Sequence, residues 1–127
     1  MQRIIATLAL AAIALVAAAC GSTNAGQPAA PASVDPNAPA VVAKDIKFVT
    51  TEVKVPAGKA FQLTFDNQDG APHNVAIYTD SSASQAKFQG DIFSAGTRVY
   101  EVPALAAGSY FFRCDVHPDM TGTIVAE

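Results

Sequence analysis

Toward its C-terminal end the chain reads Tyr110-Phe111-Phe112-Arg113-Cys114-Asp115-Val116-His117-Pro118-Asp119-Met120-Thr121-Gly122, so a thiol, an imidazole and a thioether fall within seven residues. A thiolate and a thioether beside imidazole select copper over harder cations, because ligand softness and geometry, not raw affinity, separate these metals. A second imidazole has to come from elsewhere, and of the 2 histidines the remaining one is His73. Two imidazoles and a thiolate with a weak, long axial thioether form the blue-copper arrangement, for which His73, Cys114, His117 and Met120 are the candidates. Taken singly, each has an ordinary role: a buried Cys packs as a small hydrophobe, a Met fills core gaps, and His-Pro is common in turns. Cys-x-x-His also suits structural zinc, which usually takes four Cys or His ligands, and only three remain once Cys20 is assigned to the N-terminal segment. A Cys-His nucleophilic pair is the other competitor, although a small all-β domain leaves little room for a substrate cleft.

The elements that must position these donors read as strands. By alternation Tyr110, Phe112 and Cys114 share a side, which the two aromatics mark as the core side, so Cys114 is aimed inward at a strand end. His73, Val75 and Ile77 share a face of an earlier run, as do Ile46 with Phe48, Val53 with Val55, and Phe61 with Leu63 and Phe65. Pro56-Ala57-Gly58-Lys59 and Asn67-Gln68-Asp69-Gly70 are turns by composition. Residues 81–88 form the one plausible helix, short and with Asp80 as N-cap, and further strands are expected near 97–102, 109–114 and 122–125. About seven or eight short strands without a helical period predict an all-β fold, an antiparallel Greek-key β-sandwich.

Ahead of that domain the texture differs. Arg3 followed by the apolar run 4–19 and small residues before Cys20 predicts a secretory signal over 1–19. The run is too short for a comfortable span, which needs roughly 20 apolar residues. Cys20 is similar to the lipid-acceptor cysteine of bacterial lipoproteins, with Leu15 and Val16 upstream and Gly21-Ser22 following, although Ala17 holds the usual Leu position. Residues 20–40 are Ala- and Pro-rich with few large apolar side chains and read as a linker. About 20 residues of such coil span roughly 25 Å, leaving 41–127 as the folded domain. With 2 cysteines in all, lipidation of Cys20 leaves Cys114 unpaired, and a lone thiol in an exported domain points to reactivity or metal binding. The formal net charge of −3, one unit more negative without Arg3, and the absence of a basic cluster give no sign of nucleic-acid binding.

The stretch 41–127 resembles the cupredoxins, the blue copper proteins of the plastocyanin and amicyanin type. The likeness rests on Pro72-His73-Asn74-Val75 and Tyr110-x-Phe112-x-Cys114-x-x-His117-x-x-Met120, with Asn67-x-Asp69 and Ala107-Gly108-Ser109-Tyr110 in support. It implies one type 1 copper held equatorially by His73, Cys114 and His117 and axially by Met120, with Asn74 hydrogen-bonding across to the Cys114 loop to fix ligand orientation. It implies a one-electron carrier cycling Cu(II)/Cu(I), whose redox partner proteins dock near His117; the lipoprotein likeness of Cys20 would tether it by a lipid at the outer face of a membrane, the alternative being an ordinary signal cleaved near Cys20 that leaves a soluble protein. Pro118, Pro72 and Ala71 would form an apolar rim there, with Asp115 and Asp119 adding charge on either side of His117. No small-molecule substrate and no enzymatic activity are expected, since copper enzymes need further histidines. The rival is copper delivery or homeostasis, which usually brings extra Met or His clusters, whereas only Met1 and Met120 occur here.

Overall fold

A computed structural model describes residues 35–127 of the chain. The expected leader, Cys20 and the linker through residue 34 lie outside the described residues. Eight strands follow in order: β1 (Ala40–Ala43), β2 (Glu52–Val55), β3 (Phe61–Asn67), β4 (Ala76–Tyr78), β5 (Ala86–Gln89), β6 (Gly96–Val102), β7 (Gly108–Arg113) and β8 (Thr121–Ala126). They build two sheets, β1-β3-β6 and β2-β8-β7-β4-β5. The all-β sandwich stands, with the β1–β3 and β2–β8 pairs running parallel and the other pairs antiparallel.

Alternation places the core. In β3, Phe61, Leu63 and Phe65 are buried, and across the sandwich Val53, Val55, Phe112, Ile124 and Ala126 face them. Each large apolar side chain taken from water contributes about 1.5–3 kcal/mol. An aromatic chain joins the sheets: Phe65 meets Phe48 edge-on at 6.2 Å between centroids, and Phe48 meets Phe112 at 5.1 Å. Phe112 lies two residues before Cys114, so the strand that aims the thiol is anchored in the centre of the core. Gly122, paired with Phe112 across β7–β8, leaves space for that ring; a Cβ there would overlap it and stand 2.8 Å from the Thr51 carbonyl.

Two local expectations change. Residues 81–88 form no helix: Asp80 caps a turn by accepting from the Ser82 amide (2.9 Å), and the chain enters β5, which pairs with β4. The period-two run Ala86–Gln89 gives β4 its second neighbour and seats Phe88 against Tyr100 (5.3 Å), and this pairing outweighs the weak helical tendency. Ile46 does not share the inward face of Phe48 but is 53% exposed. It occupies a two-residue hairpin turn closed by paired Lys44–Lys47 backbone bonds (2.9 and 3.1 Å), in which Asp45 and Ile46 both take positive φ, 54° and 55°. Such turns ordinarily use Asn-Gly, because a side chain with a Cβ is strained there.

Candidate metal centre

His73 sits between the turn after β3 and the start of β4, tied to Phe93 by reciprocal backbone bonds of 3.1 Å and fully buried. Its ring is fixed at both nitrogens. Nε2 donates to Asp69 Oδ2 at 3.1 Å, which leaves the Nδ1 lone pair to point at Cys114 Sγ (3.7 Å) and His117 Nδ1 (3.0 Å). Asp69 is itself held by the strained turn, since Oδ1 accepts from the Asp45 amide (2.8 Å) and Oδ2 from the Ile46 amide (3.0 Å). Those bonds, the Ile46 amide first, with the His73 contact added, keep the Asp69 carboxyl below the usual carboxylate range. Asn67 stiffens the same loop by donating to the carbonyls of Ala71 (3.1 Å) and Phe93 (2.7 Å).

Cys114 follows the last residue of β7, is fully buried, and is the free cysteine among the described residues. Its amide donates to the Met120 carbonyl (3.0 Å), and the Met120 amide donates to the His117 carbonyl (2.9 Å), so the loop from 114 to 120 closes on itself. This places half-buried His117 with its Nδ1 3.9 Å from Cys114 Sγ, and buries Met120 in the cluster that contains Cys114.

Three donor atoms thus converge from two segments, and all lie within 4.8 Å of one another. The circle through His73 Nδ1, His117 Nδ1 and Cys114 Sγ, whose separations are 3.0, 3.7 and 3.9 Å, has a radius of about 2.1 Å. Metal–imidazole bonds of about 2.0–2.1 Å and metal–thiolate bonds of about 2.3 Å match that radius. The donors therefore fit a single ion in a trigonal plane, the geometry that two His and one Cys give soft, redox-active copper.

Asn74, 2% exposed, bridges the two segments. Its Oδ1 accepts from the Asp115 amide (2.8 Å), while Nδ2 donates to Asp115 Oδ2 and the Gly90 carbonyl, both at 3.1 Å. Asp115 was expected on the rim beside His117 but turns into the fold: Oδ1 accepts from Tyr78 OH (2.6 Å) and Arg113 Nε (3.3 Å), and Oδ2 also accepts from Gln89 Nε2 (3.2 Å). Burial pushes its carboxyl up, and the bonds from Tyr78, Asn74, Gln89 and Arg113 outweigh that and hold it low. Pro72, Pro118 and Asp119 are exposed as expected, and Val116, 40% exposed, joins them. Sequence reasoning missed the roles of Asp69, Tyr78, Gln89 and Arg113; only Asp69, four residues before His73, left a local trace.

A family model described as a cupredoxin-like domain matches residues 8–126 of the chain. Amicyanin of Paracoccus versutus is 32% identical over 129 aligned residues, covering 94% of this chain and 93% of that protein. Amicyanin-alpha of Methylorubrum extorquens is 33% identical over 128 aligned residues, covering 100% of each. The crystal structure of the Paracoccus versutus protein superposes on 74% of this chain and 85% of its own, with a TM-score of 0.59 and 30% identity.

Proposed function

This chain belongs to the cupredoxin-like domain family, and on that basis we propose that it is a one-electron carrier in which His73, Cys114 and His117, together with Met120, would hold one type 1 copper. The observation that carries this reading is the convergence of Nδ1, Nδ1 and Sγ on a circle of metal-bond radius from segments 41 residues apart. Copper held there supplies the exchange of one electron between Cu(II) and Cu(I).

The chain's own part is to keep its donors still, because ligand motion between oxidation states slows electron transfer. His73 is immobilised by Asp69 and by its backbone bridge to Phe93. Cys114 is held by the Met120 carbonyl behind it and by the Asn74–Asp115 pair beside it. His117, half-buried, offers its edge to solvent among exposed Val116, Pro118 and Pro72, and electrons enter and leave there as a redox partner docks. We assign 1–19 to an export signal, Cys20 to a lipid anchor and the stretch from there to β1, which begins at Ala40, to a linker that holds the β-domain at the outer face of the membrane, on the sequence pattern. Cys20→Ser should move the protein from the membrane fraction to the soluble fraction without changing its spectrum; retention at the membrane would refute the anchor.

The deciding experiment is the visible spectrum of the copper-loaded domain. An intense blue band that bleaches on reduction, and that Cys114→Ser abolishes, is expected, since the colour needs a copper–thiolate bond. A colourless copper adduct would overturn the carrier reading in favour of copper delivery.

A further inference from the structure

Asp115 directly follows the thiolate-bearing residue, yet its carboxylate is drawn away from solvent, with a side-chain exposure of 22%. Donors reach it from four places: Asn74 ahead of β4, Tyr78 in β4, Gln89 in β5 and Arg113 in β7. The guanidinium of Arg113, itself 28% exposed, also lies 5.1 Å from the centre of the Tyr78 ring. Tyr78 and Arg113 donate to one carboxylate oxygen and Asn74 and Gln89 to the other, which an amide with its single acceptor oxygen could not serve together, whereas the half-buried ion pair with Arg113 by itself adds little to stability. The cluster therefore does something that a neutral one would not: it fixes a negative charge one residue after Cys114 and a positive charge one residue before it.

Resting on the copper reading, we propose that Asp115 and Arg113 are a pair of opposed charges that sets the redox balance of the centre. Both are positioning residues that act on the site through the field around Cys114. A negative charge near the donors favours the more positively charged oxidation state, and a positive charge favours the reduced one. Asp115 lowers the reduction potential, and Arg113 cancels part of that effect. Tyr78, Asn74 and Gln89 hold the carboxylate in one place, so the field is constant while the electron moves. Because the pair is only half-buried, salt screens it in part.

The test is voltammetry of the copper-loaded protein, with the visible spectrum recorded on each variant. Asp115→Asn should raise the potential, Arg113→Gln should lower it, and the double variant should return toward the wild-type value, all with the blue band kept. Both shifts should shrink, without vanishing, as ionic strength rises. In the metal-free protein Arg113→Gln should leave the unfolding midpoint nearly unchanged, which separates a field effect from a loss of structure. Should Asp115→Asn fail to fold, Arg113→Glu replaces it and should lower the potential further than Arg113→Gln. Shifts of the same sign for Asp115→Asn and Arg113→Gln, or none in a blue variant, would overturn the proposal alone. A wild-type protein with no blue band and no reversible couple would overturn the copper reading first and this one with it.

Discussion

Replacing Asn74 by alanine removes three hydrogen bonds at once, to the Asp115 amide (2.8 Å), the Asp115 carboxylate (3.1 Å) and the Gly90 carbonyl (3.1 Å). A bond to a charged group is worth roughly 1.5–3 kcal/mol and a neutral one about 1 kcal/mol, and a polar group left buried without a partner costs about 1–3 kcal/mol. These losses overlap, since all three bonds knit the same loop, so the whole effect should be about 3 kcal/mol. That corresponds to roughly a hundredfold shift in the unfolding equilibrium. The assay is urea unfolding of the metal-free domain at neutral pH, which keeps metal affinity out of the measurement. Asn74→Asp sharpens it: the side chain still accepts from the Asp115 amide but sets a second carboxylate where Nδ2 lay 3.1 Å from Asp115 Oδ2, so the loss should be at least as large. A loss below about 1 kcal/mol in Asn74→Ala would refute the view that this side chain fastens the loop.

Met120→Leu conserves volume and should cost less than about 1.5 kcal/mol. It should keep the blue colour and raise the reduction potential, because the lost thioether favours Cu(II); an unchanged potential in voltammetry would reduce Met120 to packing. Asp69, whose carboxyl is held below its ordinary range, gives a pH signature. The fold favours the ionised form, so its contribution is complete above the unfolded value of about 3.9 and is lost as pH falls through the lower folded value. Metal-free Asp69→Asn lacks that contribution and should lose stability less steeply than the wild type as pH falls from 5 toward 2. Parallel urea-stability curves for the two proteins would count against the clamp.

The candidate ligand set was legible because it is chemically rare and locally spaced. Cys114, His117 and Met120 share one short loop, and with 2 histidines in the chain His73 had no competitor. Strand alternation was equally readable in β2, where Val53 and Val55 are buried and Glu52 and Lys54 exposed, and in the buried Phe61, Leu63 and Phe65 of β3. It failed where local pattern and long-range pairing disagree. The segment from Asp80 looked like a weak helix until β4 required an edge partner, and Ile46 followed the alternation of a strand while sitting in a turn. The charges failed for a related reason. Nothing in one dimension distinguishes Asp115 on an open rim from Asp115 bonded to Tyr78, Gln89, Asn74 and Arg113, whose positions span 74 to 113. Ligand identity follows from residue type and short spacing, which a chain carries along its length. The partner of a carboxylate follows from which strands lie side by side, and only closure of the two sheets brings those groups within hydrogen-bond reach.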